Sequence, residues 1–74
     1  MRTWLNKLRT ANKLTMADMA NRLGISLPYY SLIESGQRQK DMNLALAAKI
    51  AKVGGVTLDE IARSDIEWRK EAKE

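Results

Sequence analysis

Seventy-four residues suffice for one small domain, which at this size buries only about 60% of the surface its unfolded chain exposes, and leave no room for a second. Cysteine and histidine are both absent, which removes disulfide staples, thiolate zinc sites and nucleophilic or general-base chemistry through those residues, and so argues against most enzymes. The net charge of +4 is uneven: residues 1 to 52 carry nine basic groups against three acids, and residues 53 to 74 carry four against six. A basic body with an acidic end suits a polyanion partner, because neutralised phosphates release counterions whatever their sequence. No run of 18 apolar residues is present and no secretory stretch follows Arg2, so the expected compartment is the cytoplasm, with no membrane partner.

The elements read in chain order are short helices, with no β-branched run or period-two alternation to suggest strands. The first helix is expected to take Thr3 as its cap and to run to about Lys13, with Trp4, Leu5, Leu8 and Ala11 on one apolar face. A second opens at Thr15, with Asp18 three residues on completing a capping-box pattern, and carries Met16, Met19, Ala20 and Leu23 to a stop at Gly24. The third begins after Ser26, tolerates Pro28 in its first turn, turns Tyr30 and Ile33 inward and ends near Gly36. Asn43 caps a fourth from Leu44 to about Val53, which ends at Gly54 and Gly55. Thr57 and Glu60 open a fifth, which either stops at Arg63, with the stretch from Ser64 to Glu67 capping a new helix, or continues through Trp68.

Residues 15 to 38 carry the functional signal, and they do so through spacing. Two helices joined by a turn of three or four residues cross at about 90 to 120° when the crossing residue is small and the turn accepts a left-handed conformation. Ala20 and Gly24 meet those needs. Met19, Leu23, Ile25, Tyr30 and Ile33 then share a core, which leaves Leu27, Pro28, Tyr29, Ser31 and Leu32 on the outer side of the third helix.

The segment TMADMANRLGIS followed by YYSLIESGQR resembles the Xre-type helix-turn-helix family, the class of phage Cro proteins and phage repressors. KIAK in the fourth helix and LDEIA after GVT resemble that family's closing helices, so the likeness covers nearly the whole chain. It implies an all-α, lambda-repressor-like bundle of five helices over residues 1–64, with 65–74 as a helical extension or tail. It further implies sequence-specific binding of double-stranded DNA by a transcriptional regulator, a small phage-type repressor acting by occupying its operator. By the same likeness Leu27, Pro28, Tyr29 and Leu32 meet base edges in the major groove. Thr15, Ser26, Ser31 and Ser35, with the loop residues Gln37, Arg38, Gln39 and Lys40, hold phosphates. Arg9 and Glu34 match an ion pair that joins the first helix to the end of the recognition helix, and their role is structural.

The sequence departs from the family at three places. Met16 stands where a phosphate-binding glutamine is usual. The outward face of the third helix lacks the Arg, Gln or Asn side chains that read G or A bidentately, so discrimination rests on thymine methyls and DNA shape. Gly54 replaces an apolar residue and is expected to shorten helix four.

The apolar face also supports a rival reading, a protein-interaction module such as an antirepressor or antitoxin, with Leu27, Tyr29 and Leu32 as anchors. The basic loop favours DNA. One module buries only about 600 to 1,000 Å² on DNA, so a homodimer is expected, its half-sites about 34 Å apart. Leu58, Ile61, Ile66 and Trp68 are the candidate dimer contacts; the alternative is that Leu58 and Ile61 are core and Trp68 folds back as a cover. No carboxylate pair, glycine-rich phosphate loop or metal-ligand spacing stands out, so no catalysis, cofactor, metal or small-molecule ligand is expected.

Overall fold

Helix ends leave four amides or four carbonyls without intrahelical partners, and most helix ends of this chain carry a short polar cap or a left-handed residue. The computed structural model describes residues 1–37 and 43–72. Among them the chain forms five helices and no strand: α1 (Thr3–Ala11), α2 (Met16–Leu23), α3 (Leu27–Ser35), α4 (Leu44–Gly54) and α5 (Leu58–Ala72). None of them is long and apolar enough to cross a membrane.

Four of the five starts follow the sequence signals. Thr15 accepts the Asp18 N–H at 3.1 Å while Asp18 accepts the Thr15 N–H at 3.0 Å, a complete capping box. Ser26 accepts from the Tyr29 N–H at 3.3 Å, Asn43 from Leu46 at 2.9 Å and Thr57 from Glu60 at 3.1 Å. Helix α1 differs at both ends. Thr3 lies inside it, and Arg2 takes the cap position with no side-chain cap, since a guanidinium has no acceptor to offer the first-turn amides. At the other end α1 stops at Ala11 rather than Lys13, and Lys13 adopts φ 57° in the turn. Ala11, expected on the apolar face, is exposed, because the helix ends before that face reaches the core.

Two glycines carry distinct physical reasons. Gly24 sits at φ +72° with open space around a notional Cβ, so conformation and not crowding selects glycine there. Gly54 does not shorten α4: it is the last helical residue, and Gly55 behind it takes the left-handed stop at φ 68°. A Cβ at Gly54 would lie 2.7 to 2.8 Å from the Leu8 Cγ and both Cδ atoms, so glycine here lets α4 approach α1 closely.

The core draws on every helix. Leu5, Met19, Leu23, Tyr30, Ile50 and Ile61 are among its fully or almost fully buried members. Helix α2 packs on α3 and α4, α1 on α3 and α5, and α4 on α5. Helix α5 runs unbroken past Arg63 and Ser64, so Ser64 opens no new helix.

Candidate nucleic-acid interface

Leu23 ends α2 and Leu27 begins α3, so three residues, Gly24, Ile25 and Ser26, make the elbow between them. The Ile25 N–H returns to the Ala20 carbonyl at 3.0 Å, and Ala20 is buried where a larger side chain would hold the helices apart. Tyr30 and Ile33 are wholly buried on the inner side of α3. That assigns the opposite side of α3, beginning at its first turn, to the exterior.

The four expected base readers are not equally free. Leu27 is 45% exposed and Pro28 is exposed, both at the N-terminal end of α3. Leu32 is half-buried. Tyr29 is also half-buried and packs against the core, lining a groove with Ile25 and Leu46, so it is not the fully outward side chain that spacing suggested. Helical side chains lean toward the helix N-terminus, and here that lean directs the ring over the elbow.

The polar candidates divide in the same way. Thr15 and Ser26 are exposed at the N-termini of α2 and α3. Each hydroxyl accepts an amide proton as a cap; the Ser26 O–H can still donate to a phosphate oxygen, while that of Thr15 is shared with the Asp18 carboxylate. The backbone amide of Thr15 also donates to Asp18, so phosphate at α2 would be met by the next amides. Sequence reasoning missed that competition. Ser31 is half-buried; Ser35 is exposed but donates its hydroxyl to the Leu32 carbonyl at 3.0 Å. Gln37 is exposed, while Arg38, Gln39 and Lys40 lie outside the described residues. Met16 is half-buried against the core, so this position packs where a glutamine would reach outward.

Asp18 offers a pH test. Hydrogen bonds from the Thr15 backbone and hydroxyl, together with the charge of Arg22, hold its pKa below the ordinary 3.8. A depressed folded-state pKa means that the carboxylate's support for α2 is complete above 3.8 and is lost as pH falls through the lower folded value. Comparing acid melts of Asp18→Asn with the parent chain should therefore show a difference near neutrality that closes at strongly acid pH. A difference that persists unchanged at the lowest pH would contradict the capping-box assignment.

Behind this surface a polar cluster fixes α3 to α1. Arg9 Nε lies 2.9 Å from Glu34 Oε1, Arg9 Nη2 donates to Oε2 at 3.4 Å, and Nη1 donates to the Leu14 carbonyl at 2.8 Å. The Tyr30 hydroxyl donates to Glu34 Oε1 at 2.8 Å. The Arg9 and Glu34 side chains are 12% and 4% exposed, so this is a desolvated pair and not a surface contact. Hydrogen bonding to Glu34 raises the Arg9 pKa, and burial followed by the Glu34 hydrogen bond raises that of Tyr30, which stays neutral.

The α4–α5 side revises the dimer candidates. Ile61 is 2% exposed and belongs to the core, so it is withdrawn from the list. Trp68 is folded back: the Arg2 guanidinium carbon lies 4.8 Å from its ring centroid, and the ring abuts Gly36. Leu58 and Ile66 remain exposed, and with Leu44 they line an apolar groove. Sequence reasoning also missed Arg2 and Asp65, a buried pair at 2.8 Å, because a partner 63 positions away leaves no local pattern.

A helix-turn-helix family model matches residues 5–61. Two curated proteins, each named an uncharacterized HTH-type transcriptional regulator, are similar over 61 residues, or 82% of this chain. MJ0272 of Methanocaldococcus jannaschii is 39% identical over a span covering 89% of its own length, and YqaE of Bacillus subtilis is 34% identical over 51%. The chain thus spans about half the length of the Bacillus relative. No solved structure matches it significantly. An elbow at Gly24, a second motif helix with one face spent on the core, and a family match over most of the chain agree: the protein belongs to the Xre-type helix-turn-helix family.

Proposed function

We propose that this protein binds double-stranded DNA as a transcriptional regulator, a small phage-type repressor that acts in the cytoplasm by occupying its operator. The observation that carries the reading is the presentation of α3: Tyr30 and Ile33 anchor one side while Leu27 and Pro28 stand free at its leading end. The leading end of a recognition helix is the part that meets base edges. Thr15 and Ser26 flank it at helix N-termini, where the helix dipole favours phosphate, although at α3 Pro28 has no N–H and the Tyr29 N–H is given to the Ser26 hydroxyl. The DNA-binding module is residues 1–64, with 65–74 as a C-terminal extension or tail.

Association of Lys and Arg side chains with phosphate is tested by salt. For Arg38→Ala, fluorescence anisotropy on duplex DNA should give weaker binding to every sequence alike and a slope of log affinity against log salt that is flatter by about one. An unaltered slope removes Arg38 from the phosphate contacts.

Two copies are needed because α3 spans nine residues, about 13 Å of helix, enough for one half-site. Leu44, Leu58 and Ile66 supply the apolar surface for pairing. Ile66 is 53% exposed, so Ile66→Glu should keep the monomer folded while sedimentation shows loss of the dimer on DNA. Retention of the two-to-one complex would exclude this face. The rival protein-interaction reading is weakened by the partial burial of Tyr29 and Leu32, which reduces the apolar area available on α3.

A further inference from the structure

Arg2 is wholly buried, although its side chain is charged and it stands before the first helix. Contacts of its guanidinium lead to different parts of the fold. Nε donates to Asp65 Oδ1 at 2.8 Å, the cation lies 4.8 Å from the Trp68 centroid, and Nη1 donates to the carbonyl of Ile33. Its backbone N–H adds a bond to the Glu34 carbonyl at 2.7 Å. Ile33 and Glu34 belong to the last turn of α3, the negative end of that helix's dipole, where a cation is favourable.

The residues that hold Arg2 also brace the exit of α3. Trp68 lies over Gly36, the left-handed residue that ends the helix: a Cβ there would fall 2.7 Å from Trp68 Cζ2 and 2.9 Å from Cη2. The Gly36 N–H donates to the Ile33 carbonyl and the Gln37 N–H to that of Leu32, which closes the helix. Asp65 is itself fixed by Arg69 Nε at 2.9 Å and by Trp4 Nε1 at 3.3 Å. Arg2, Asp65 and Trp68 all lie outside residues 5–61, the part of the chain that carries the family pattern.

We propose that Arg2, clamped between Asp65 and Trp68 of α5, is a positioning residue for DNA recognition: it fixes the C-terminal end of α3, and so sets discrimination between sites without touching DNA. This rests on the DNA-binding reading. The C-terminal half of α5 is then a strut for the recognition helix, and anything that moves α5 is felt at the exit of α3.

A buried ion pair can also be merely structural, so the test must keep the fold while removing the link. Asp65→Asn alone strands a buried cation and risks unfolding. Replacing a whole buried charged triad by apolar residues of similar volume is close to neutral for folding, so Arg2→Met with Asp65→Leu and Arg69→Met is the informative variant. Two readouts are taken well below its melting temperature: amide hydrogen exchange at Gly36 and Gln37, and the ratio of affinity for a selected duplex to that for a random one. The proposal expects exchange at those two amides at least tenfold faster, with α2 protection unchanged, and a roughly tenfold loss in the affinity ratio with random-duplex binding retained. It is overturned if the folded variant keeps either the parent's exchange rates at those amides or its affinity ratio. A parent chain with no preference for any duplex overturns the DNA reading by itself, before any variant is made. The exchange measurement then decides separately whether α5 pins the end of α3.

Discussion

Arg9→Met is expected to cost about 3 to 5 kcal/mol of folding stability, because it leaves the Glu34 carboxylate, 4% exposed, with its charge uncompensated. For a domain of this size that is a large fraction of a total stability on the order of 4 to 11 kcal/mol, and it lowers the melting temperature by at least about 12 °C. The Tyr30 hydroxyl at 2.8 Å remains, but one neutral donor does not replace a guanidinium that bonds both carboxylate oxygens. Substituting the cluster together, Arg9→Met with Glu34→Leu and Tyr30→Phe, removes the stranded charge and should recover most of the loss. Thermal melts of the single and triple variants decide the matter. A single variant that melts within about 3 °C of the parent would place the pair among solvated surface contacts worth under about 1 kcal/mol.

Leu27→Ala combined with Leu32→Ala should leave melting close to that of the parent and remove most of the preference for a selected site. Leu27 is 45% exposed and Leu32 is not among the side chains packed on the core, so little folding energy is withdrawn. At roughly 1 kcal/mol or less for each apolar base contact, two side chains in each of two protomers amount to about 3 kcal/mol, or a hundredfold in affinity. Random-duplex affinity, set by phosphates, should hold. Tyr29 is left out of this pair because its ring packs against the core, and truncating it would mix folding with binding. Competition binding with selected and random duplexes supplies the check; an unchanged ratio refutes the assignment of α3 as the reader.

Most of the architecture was legible because its signals are local. Thr15 with Asp18, Ser26 with Pro28, and the left-handed stops at Gly24 and Gly36 each act within a few residues, and each stands where the spacing put it. The misreadings share another origin. Thr3 was expected to cap α1, but Arg2 holds that position, its side chain paired with Asp65, 63 positions away. Gly54 was read as a helix stop when its reason lies across the bundle in Leu8. Ile61 has the same spacing whether it meets the core or a partner, and only the packing of α5 on α4 decides. For the interface, the sequence located the helix and the caps but not the rotation of Tyr29, which depends on the elbow beneath it.

The central claim is that the elbow at Gly24 presents α3 to duplex DNA, and it is tested most directly by selecting bound sites from random double-stranded DNA at physiological salt. Enrichment of a two-fold symmetric sequence, with half-sites about 34 Å or one helical turn apart, is the predicted outcome. A pool that stays random, from protein that also fails to retain duplex in dilute buffer, would contradict it.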